Sequence, residues 1–205
     1  MNLHDVTDPA VSAQHPFITF LHALDSGPDA LFNIECYTDV AKGAAKPKPD
    51  PLLARYAGLK IEEVAQLIPE LKQLNERGAG IFTTVNRCIG HRSINNPSII
   101  VTSSDPTKLH LYWLLDEGSA KEKDAVGQLN RLLAYDYGAD KAATDVARIL
   151  RLPGFRHMKY RHLGQTPTVT ATYNDRVYSL SEVQAAFPPT EPSPAVQANL
   201  VNIRH

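Results

Sequence analysis

Between Thr144 and Lys159 the chain reads T-D-V-A-R-I-L-R-L-P-G-F-R-H-M-K, its densest gathering of groups that could do chemistry. Thr144 suits an N-cap and Pro153-Gly154 a stop, so the spacing predicts a short helix between them. At roughly 100° per residue, Asp145, Arg148 and Arg151 fall within an arc of about 120°, and Val146, Ile149 and Leu150 take the other side. One acid and two guanidinium groups would then face a common space. Arg156, His157 and Lys159 follow the turn and add further donors. Polyphosphate chemistry uses this mixture: a carboxylate for a divalent cation and fixed cations for phosphate oxygens. The pattern also fits a solvated helix face on which Asp145 and Arg148 form an ordinary i,i+3 pair.

A second set of groups lies upstream. Ser103 and Ser104 end one apolar run, Lys108 sits in the turn that follows, and His110 stands in the next run. His110 could donate to a phosphate and the serines could add weaker donors. A satisfied core histidine beside Trp113 fits the same residues. No G-x-S-x-G elbow, P-loop, G-x-G-x-x-G or Cys/His zinc spacing is present, so these residues alone define a candidate anion site and no more.

A chain of 205 residues, 43% hydrophobic and 21% charged, fits one globular domain with a real core. With 21 basic against 22 acidic residues there is no bulk basicity to advertise nucleic acid. The local exception runs from Arg148 to His162, where five Lys/Arg and two His occur with no acid. Cys36 and Cys88 form no metal spacing or disulfide framework, as expected of a reducing cytoplasm. No apolar run approaches the ~18 residues of a membrane span, and no signal peptide is visible; the expectation is cytoplasmic, with no membrane partner.

The elements that must position these groups follow from periodicity. Residues 1–16 are expected to be a flexible arm, 17–187 the domain, and 188–205 a proline-rich tail. Phe17–Leu24 has helical spacing and Leu31–Tyr37 alternates as a strand. Lys42–Pro51 reads as a loop. Ile61–Asn75 is helical, with Pro69 a kink or divider. Strands are predicted at Ile81–Asn86, Ser98–Ser104 and Leu109–Leu115, the last two joined by the Asp105–Lys108 turn into a hairpin. On Leu109–Leu115, His110, Tyr112 and Leu114 share one face; Leu109, Leu111, Trp113 and Leu115 share the other. Lys121–Tyr137 is an amphipathic helix ending at Gly138. Pro167–Tyr173 and Val177–Leu180 read as a terminal hairpin, followed by a helix at Ser181–Phe187. The class is mixed α and β with largely antiparallel pairing.

Three segments together resemble a known family. G-A-G-I-F-T-T-V-N (78–86), P-S-I-I-V-T-S-S-D-P-T-K-L-H-L-Y-W (97–113) and D-V-A-R-I-L-R-L-P-G-F-R-H-M-K (145–159) are similar, in this order, to the RepB-like plasmid and phage replication primases of the archaeo-eukaryotic primase superfamily. The resemblance runs from about Leu31 to Phe187. It implies an α+β fold with an RRM-like antiparallel or mixed sheet flanked by helices. It also implies nucleotidyl transfer from a nucleoside triphosphate on a single-stranded DNA template, with Mg²⁺ or Mn²⁺ held by acids. On this likeness His110 contacts the triphosphate with Ser103, Ser104 and Lys108. Asp145 is the catalytic, metal-holding acid, with Asp140 as the alternative. Arg148, Arg151 and Lys159 face phosphates or template, and a replicative helicase is an expected partner.

One departure stands out. The family carries a D-x-D or D-x-E pair on a strand between the first two segments. Here no Asp or Glu occurs from Arg77 to Ser104, and ten residues join the segments, so a central strand is expected to be missing. Glu35, Asp39 and Asp105 are the remaining acids that could help Asp145. Two readings follow: a primase-type nucleotidyltransferase with a displaced metal site, or a degenerate relative that binds nucleotide or single-stranded nucleic acid without polymerising, with Phe155 and Tyr160 as stacking partners. A third is an interaction protein that keeps the fold alone.

Overall fold

The computed structural model describes residues 15–40, 52–86, 88–89, 96–104, 107, 109–140, 144, 147–174 and 176–189. Helix α1 (Pro16–Leu24) opens one residue earlier than its spacing suggests, because Pro16 occupies the first turn and His15 caps it, its ring nitrogen accepting from the Phe17 N–H. Phe17, Phe20 and Leu21 are fully buried along one stripe of this helix. Pro69 divides the next helical stretch into α2 (Ile61–Gln66) and α3 (Ile68–Glu76), starting the second helix rather than kinking one long one.

Two sheets follow. The first has the order β2-β1-β3-β7, with β1 Phe32–Thr38, β2 Leu52–Leu59, β3 Ala79–Asn86 and β7 Ala147–Arg151, and each neighbour pair is antiparallel. The second runs β4-β6-β5-β8, with β4 Cys88–Ile89, β5 Ile99–Thr102, β6 Leu109–Leu115 and β8 Thr170–Tyr173. The short β9 (Val177–Tyr178) lies parallel to the end of β6. Helices α4 (Glu117–Ala120), α5 (Lys123–Tyr135) and α6 (Leu180–Ala186) complete the chain. Residues 1–14 of the expected 1–16 arm, the loop at 42–51, most of the 105–108 turn and residues 190–205 of the expected tail lie outside the described residues. Among the described residues no helix is long and apolar enough to cross a membrane.

The alternation of β6 divides the interior as its sequence indicates. Tyr112 and Leu114 join a core made with α1, α2, α3 and the first sheet. Leu109, Leu111, Trp113 and Leu115 join a second core with α5 and α6. The first core is therefore shared by one face of each sheet, and β6 is the wall between the two cores.

Two expectations fail here, and one strand was not expected. The predicted helix after Thr144 is strand β7. A run as short as A-R-I-L-R fits a 3.6-residue and a 2-residue period almost equally, and the open edge of β3 decides between them. Ile81 O receives the Leu152 N–H just past the strand, at 3.0 Å. The terminal hairpin also dissolves: β8 pairs with β5 and β9 with β6, two partners offering free edges. Ser98 Oγ fastens that crossing, donating to Arg176 O at 2.5 Å and accepting from Leu114 N–H at 2.9 Å. Strand β2, which carries no clean alternation, went unforeseen. Leu152 is fully buried while Leu163 is 59% exposed. Leu152→Ala is expected to lower stability in urea titration by about 3 kcal/mol, and Leu163→Ala by less than about 0.5 kcal/mol.

Candidate functional site

The segment after β7 is pinned to the first sheet by two side chains. Asp39, just beyond β1 and 7% exposed, accepts from Arg151 Nη1 at 2.9 Å and Nη2 at 2.6 Å, and from the Met158 N–H at 2.9 Å. The Arg151 guanidinium also lies 4.8 Å from the centre of the Phe82 ring. Asn75, near the end of α3, donates to Ala79 O at 2.7 Å and Arg156 O at 2.8 Å and accepts from Arg156 N–H at 2.8 Å. Arg161 Nη1 donates to Gly78 O at 3.0 Å. Gly78 has φ 103°, and a Cβ there would run into that guanidinium, so only glycine serves.

These contacts reassign several residues. Arg151, expected to meet phosphate, has its fork filled by Asp39. Residues 147–151 form a strand, so the helical arc that would group Asp145, Arg148 and Arg151 does not exist over the described residues. Asp145 and the Arg148 side chain lie outside the described residues. Phe155, considered for stacking, is 3% exposed and packs on His15 and Phe17. Arg156, Lys159 and His162 do present exposed side chains on the pinned segment, whose end is a 3₁₀ turn (Met158–Leu163).

His157 is 6% exposed, its ring stacked 5.6 Å from that of Tyr160. Burial first, and then the positive charge of Arg151, pulls its pKa down to about 4, against the opposing pull of Asp39. His15 is also held near 4, by burial and by Lys72. Both imidazoles are neutral at pH 7. Cys36 is a buried thiol pushed up to about 12 by desolvation, so it is packing and not a nucleophile.

The β5–β6 hairpin forms as expected. Its register sets Val101 opposite His110 and Thr102 opposite Leu109. Ser103, two residues past Val101, therefore falls on the same face as His110. Ser103 is buried, and Ser104 and His110 are half-buried. Ile99, Val101 and Tyr112 on this face line the first core, to which Leu150 of β7 also contributes. Lys108 lies outside the described residues. A cavity of about 450 Å³ beside Trp113, Tyr178 and α6 opens on the opposite face of β6, so it belongs to other residues.

The divalent cations that the resemblance implies do not fit the described carboxylates. Among the described residues no group of three or more His, Cys, Asp or Glu converges. Asp39 is filled by Arg151 and Met158, and Glu35 accepts from Tyr37 Oη at 2.7 Å and pairs with Arg55 Nε at 2.9 Å. Asp140 is exposed near the end of α5, and Asp105 and Asp145 lie outside the described residues.

A two-sheet α+β domain with helices on the outer side of each core is the class this geometry defines. The sequence model of the RepB DNA-primase N-terminal domain matches residues 45–186. The chain belongs to that family. The crystal structure of primase RepB′ superposes with a TM-score of 0.62 at 18% identity, covering 94% of this chain and 65% of that one. This chain thus spans about two thirds of that primase. The catalytic domain of RepB′ in complex with initiator DNA gives 0.57 at 17% identity, covering 93% of this chain and 99% of that one. No curated protein sequence matches.

Two outcomes are expected. Asp39→Ala strands the Arg151 cation in a nearly dry site and should lower stability by about 3 kcal/mol in chemical denaturation. For His157, the unfolded chain titrates near 6.5 and the folded one near 4, so its contribution is intact above pH 6.5 and declines as pH falls toward 4. Urea titrations from pH 7 to pH 5 should lose about 1.4 kcal/mol per pH unit from this group at the steepest. That part of the decline should vanish in His157→Phe.

Proposed function

We propose that this chain acts in replication priming as a domain that binds a nucleoside triphosphate and single-stranded DNA. The observation that carries the reading is the β5–β6 register, which sets Ser103 and His110 on one face in a chain of the primase family. A half-buried imidazole and two hydroxyls suit triphosphate oxygens, which accept hydrogen bonds from neutral donors as well as from cations. That face shares its core with Leu150, so strand β7 borders the same interior. The exposed Arg156 and Lys159 supply charge for a polynucleotide backbone, and His162 a further polar group.

The finer reading, transfer of a nucleotide to a 3′-hydroxyl, requires two divalent cations. The described carboxylates do not offer them a seat, and the acid pair expected between 78–86 and 97–113 is absent from the sequence. We therefore assign binding to this chain and no unaided polymerisation. Nucleotide binding followed by fluorescence should fall at least about tenfold in His110→Ala, the effect of losing one charged-acceptor hydrogen bond. A primer-synthesis assay with Mn²⁺ should show no incorporation by the wild-type chain. Incorporation that disappears in Asp145→Ala would replace the binding reading with the enzymatic one.

A further inference from the structure

The first sheet has a second face that takes no part in the core. Its residues are Glu35 and Tyr37 on β1, Arg55 on β2, Phe82 on β3 and Arg151 on β7, in register across the strands: Glu35 stands opposite Arg55 and Phe82, and Phe82 opposite Arg151. Helices α1, α2 and α3 bury their apolar residues against the other face, with Ile34, Cys36 and Ile81. Two aromatic rings, on the two central strands of a four-stranded antiparallel sheet, are thus left half-exposed on the side away from the helices.

We infer that this face is a stacking platform for single-stranded DNA, centred on Tyr37 and Phe82. It deepens the proposed function, and rests on it for the choice of DNA as the polymer. Bases stack on aromatic rings and on guanidinium planes whatever their sequence. The geometry supplies both: the Tyr37 ring sits edge-on to Phe82 with centroids 5.9 Å apart, and the Arg151 guanidinium overlies Phe82. The surfaces are held still, Tyr37 by its hydrogen bond to Glu35 and Arg151 by Asp39, so little rotamer freedom remains to be lost on binding. Gly80 opens the space between them, since a Cβ would meet Arg151 Nη1 at 2.7 Å and the Phe82 ring at 2.8 Å.

Charge points to a polyanion as the occupant. The pinned segment brings the exposed Arg156, Lys159 and His162 to the Tyr37 end of this sheet, where Met158 meets Asp39 and Arg161 meets Gly78. Asp39, the carboxylate at that end, is already filled by Arg151. Arg55, 56% exposed and paired with Glu35, flanks the other side as a guanidinium plane with no net charge added by the pair. Leu53, 50% exposed, stands on the edge strand at the register shift between the partners of Cys36 and Tyr37, and adds apolar surface for a base or sugar.

Anisotropy of a labelled oligo(dT), titrated with the whole chain at several salt concentrations, tests this. Tyr37→Leu should weaken binding about tenfold or more while leaving the log–log salt slope unchanged, because a stack and no phosphate contact is lost. Tyr37→Phe keeps the ring and should retain most of the affinity, losing at most about threefold with its tie to Glu35. Leu53→Glu, at an exposed position that cannot unfold the chain, should weaken binding several-fold at low salt. Wild-type affinity in both Tyr37→Leu and Leu53→Glu, or no binding of oligo(dT) by the wild-type chain, overturns the platform. Nucleotide binding at His110 should be untouched by these changes. Its loss in His110→Ala with DNA binding intact keeps the two faces separate, whereas absence of nucleotide binding in the wild type sinks the proposed function and leaves the platform standing.

Discussion

Taking Arg151 and Asp39 out of water costs each ion several kcal/mol, and their mutual attraction repays this only if the remaining donors and lone pairs are also filled. Here the carboxylate is filled. Both Asp39 oxygens are engaged, one of them shared between Arg151 and the Met158 amide, and the guanidinium lies over Phe82. Such a pair selects an arrangement more than it adds net stability, because any alternative strands a charge. To place Arg151 beside Asp39, β7 must pair with β3 so that Phe82 stands opposite Arg151. A helix at 147–151 would not deliver the fork to that point.

From this constraint the rest of the molecule follows. The chain leaves β7, buries Leu152 and Phe155, and is caught again by Asn75, so the basic residues beyond are displayed from a fixed backbone. His157 is sealed beneath them as a neutral ring. One face of the first sheet is thereby committed to the core it shares with β5 and β6, and the other stays open. The Ser103–His110 face and the Tyr37–Phe82 face lie on different sides of the first sheet. On the proposed function, nucleotide and polynucleotide would be held without competing for the same groups.

Much of this was legible from residue pattern alone. Period-two alternation in Leu109–Leu115 foretold which residues enter which core, since β6 is buried on both faces by different partners. Pro69 and Gly138 punctuated the helices as their backbones require, Gly138 adopting φ 72°. The segment-by-segment likeness to RepB-like primases is borne out by the family match. What failed was information carried by distant partners. Nothing near Arg151 announces that Asp39, 112 residues earlier, will bind it, and a five-residue run is too short for its period to be read. The Asp39–Arg151 and Asn75–Arg156 ties have no local signal; the one hint was a buried-type sequence, L-P-G-F, set inside a basic stretch. Tyr37 and Phe82 could have been paired only by knowing the register of β1 with β3.

Amide hydrogen exchange at Met158 and Arg156 tests the pinning most directly, because both residues lie outside regular strand or α-helix and would exchange freely unless held. The account predicts protection of both amides approaching that of the β3 amides, lost together at Met158 and in the following turn when Asp39 is replaced by alanine. Exchange of the wild-type amides at the rate of an exposed loop would mean that the basic segment is not fixed to the sheet, and the charge argued for the Tyr37–Phe82 face would fall with it.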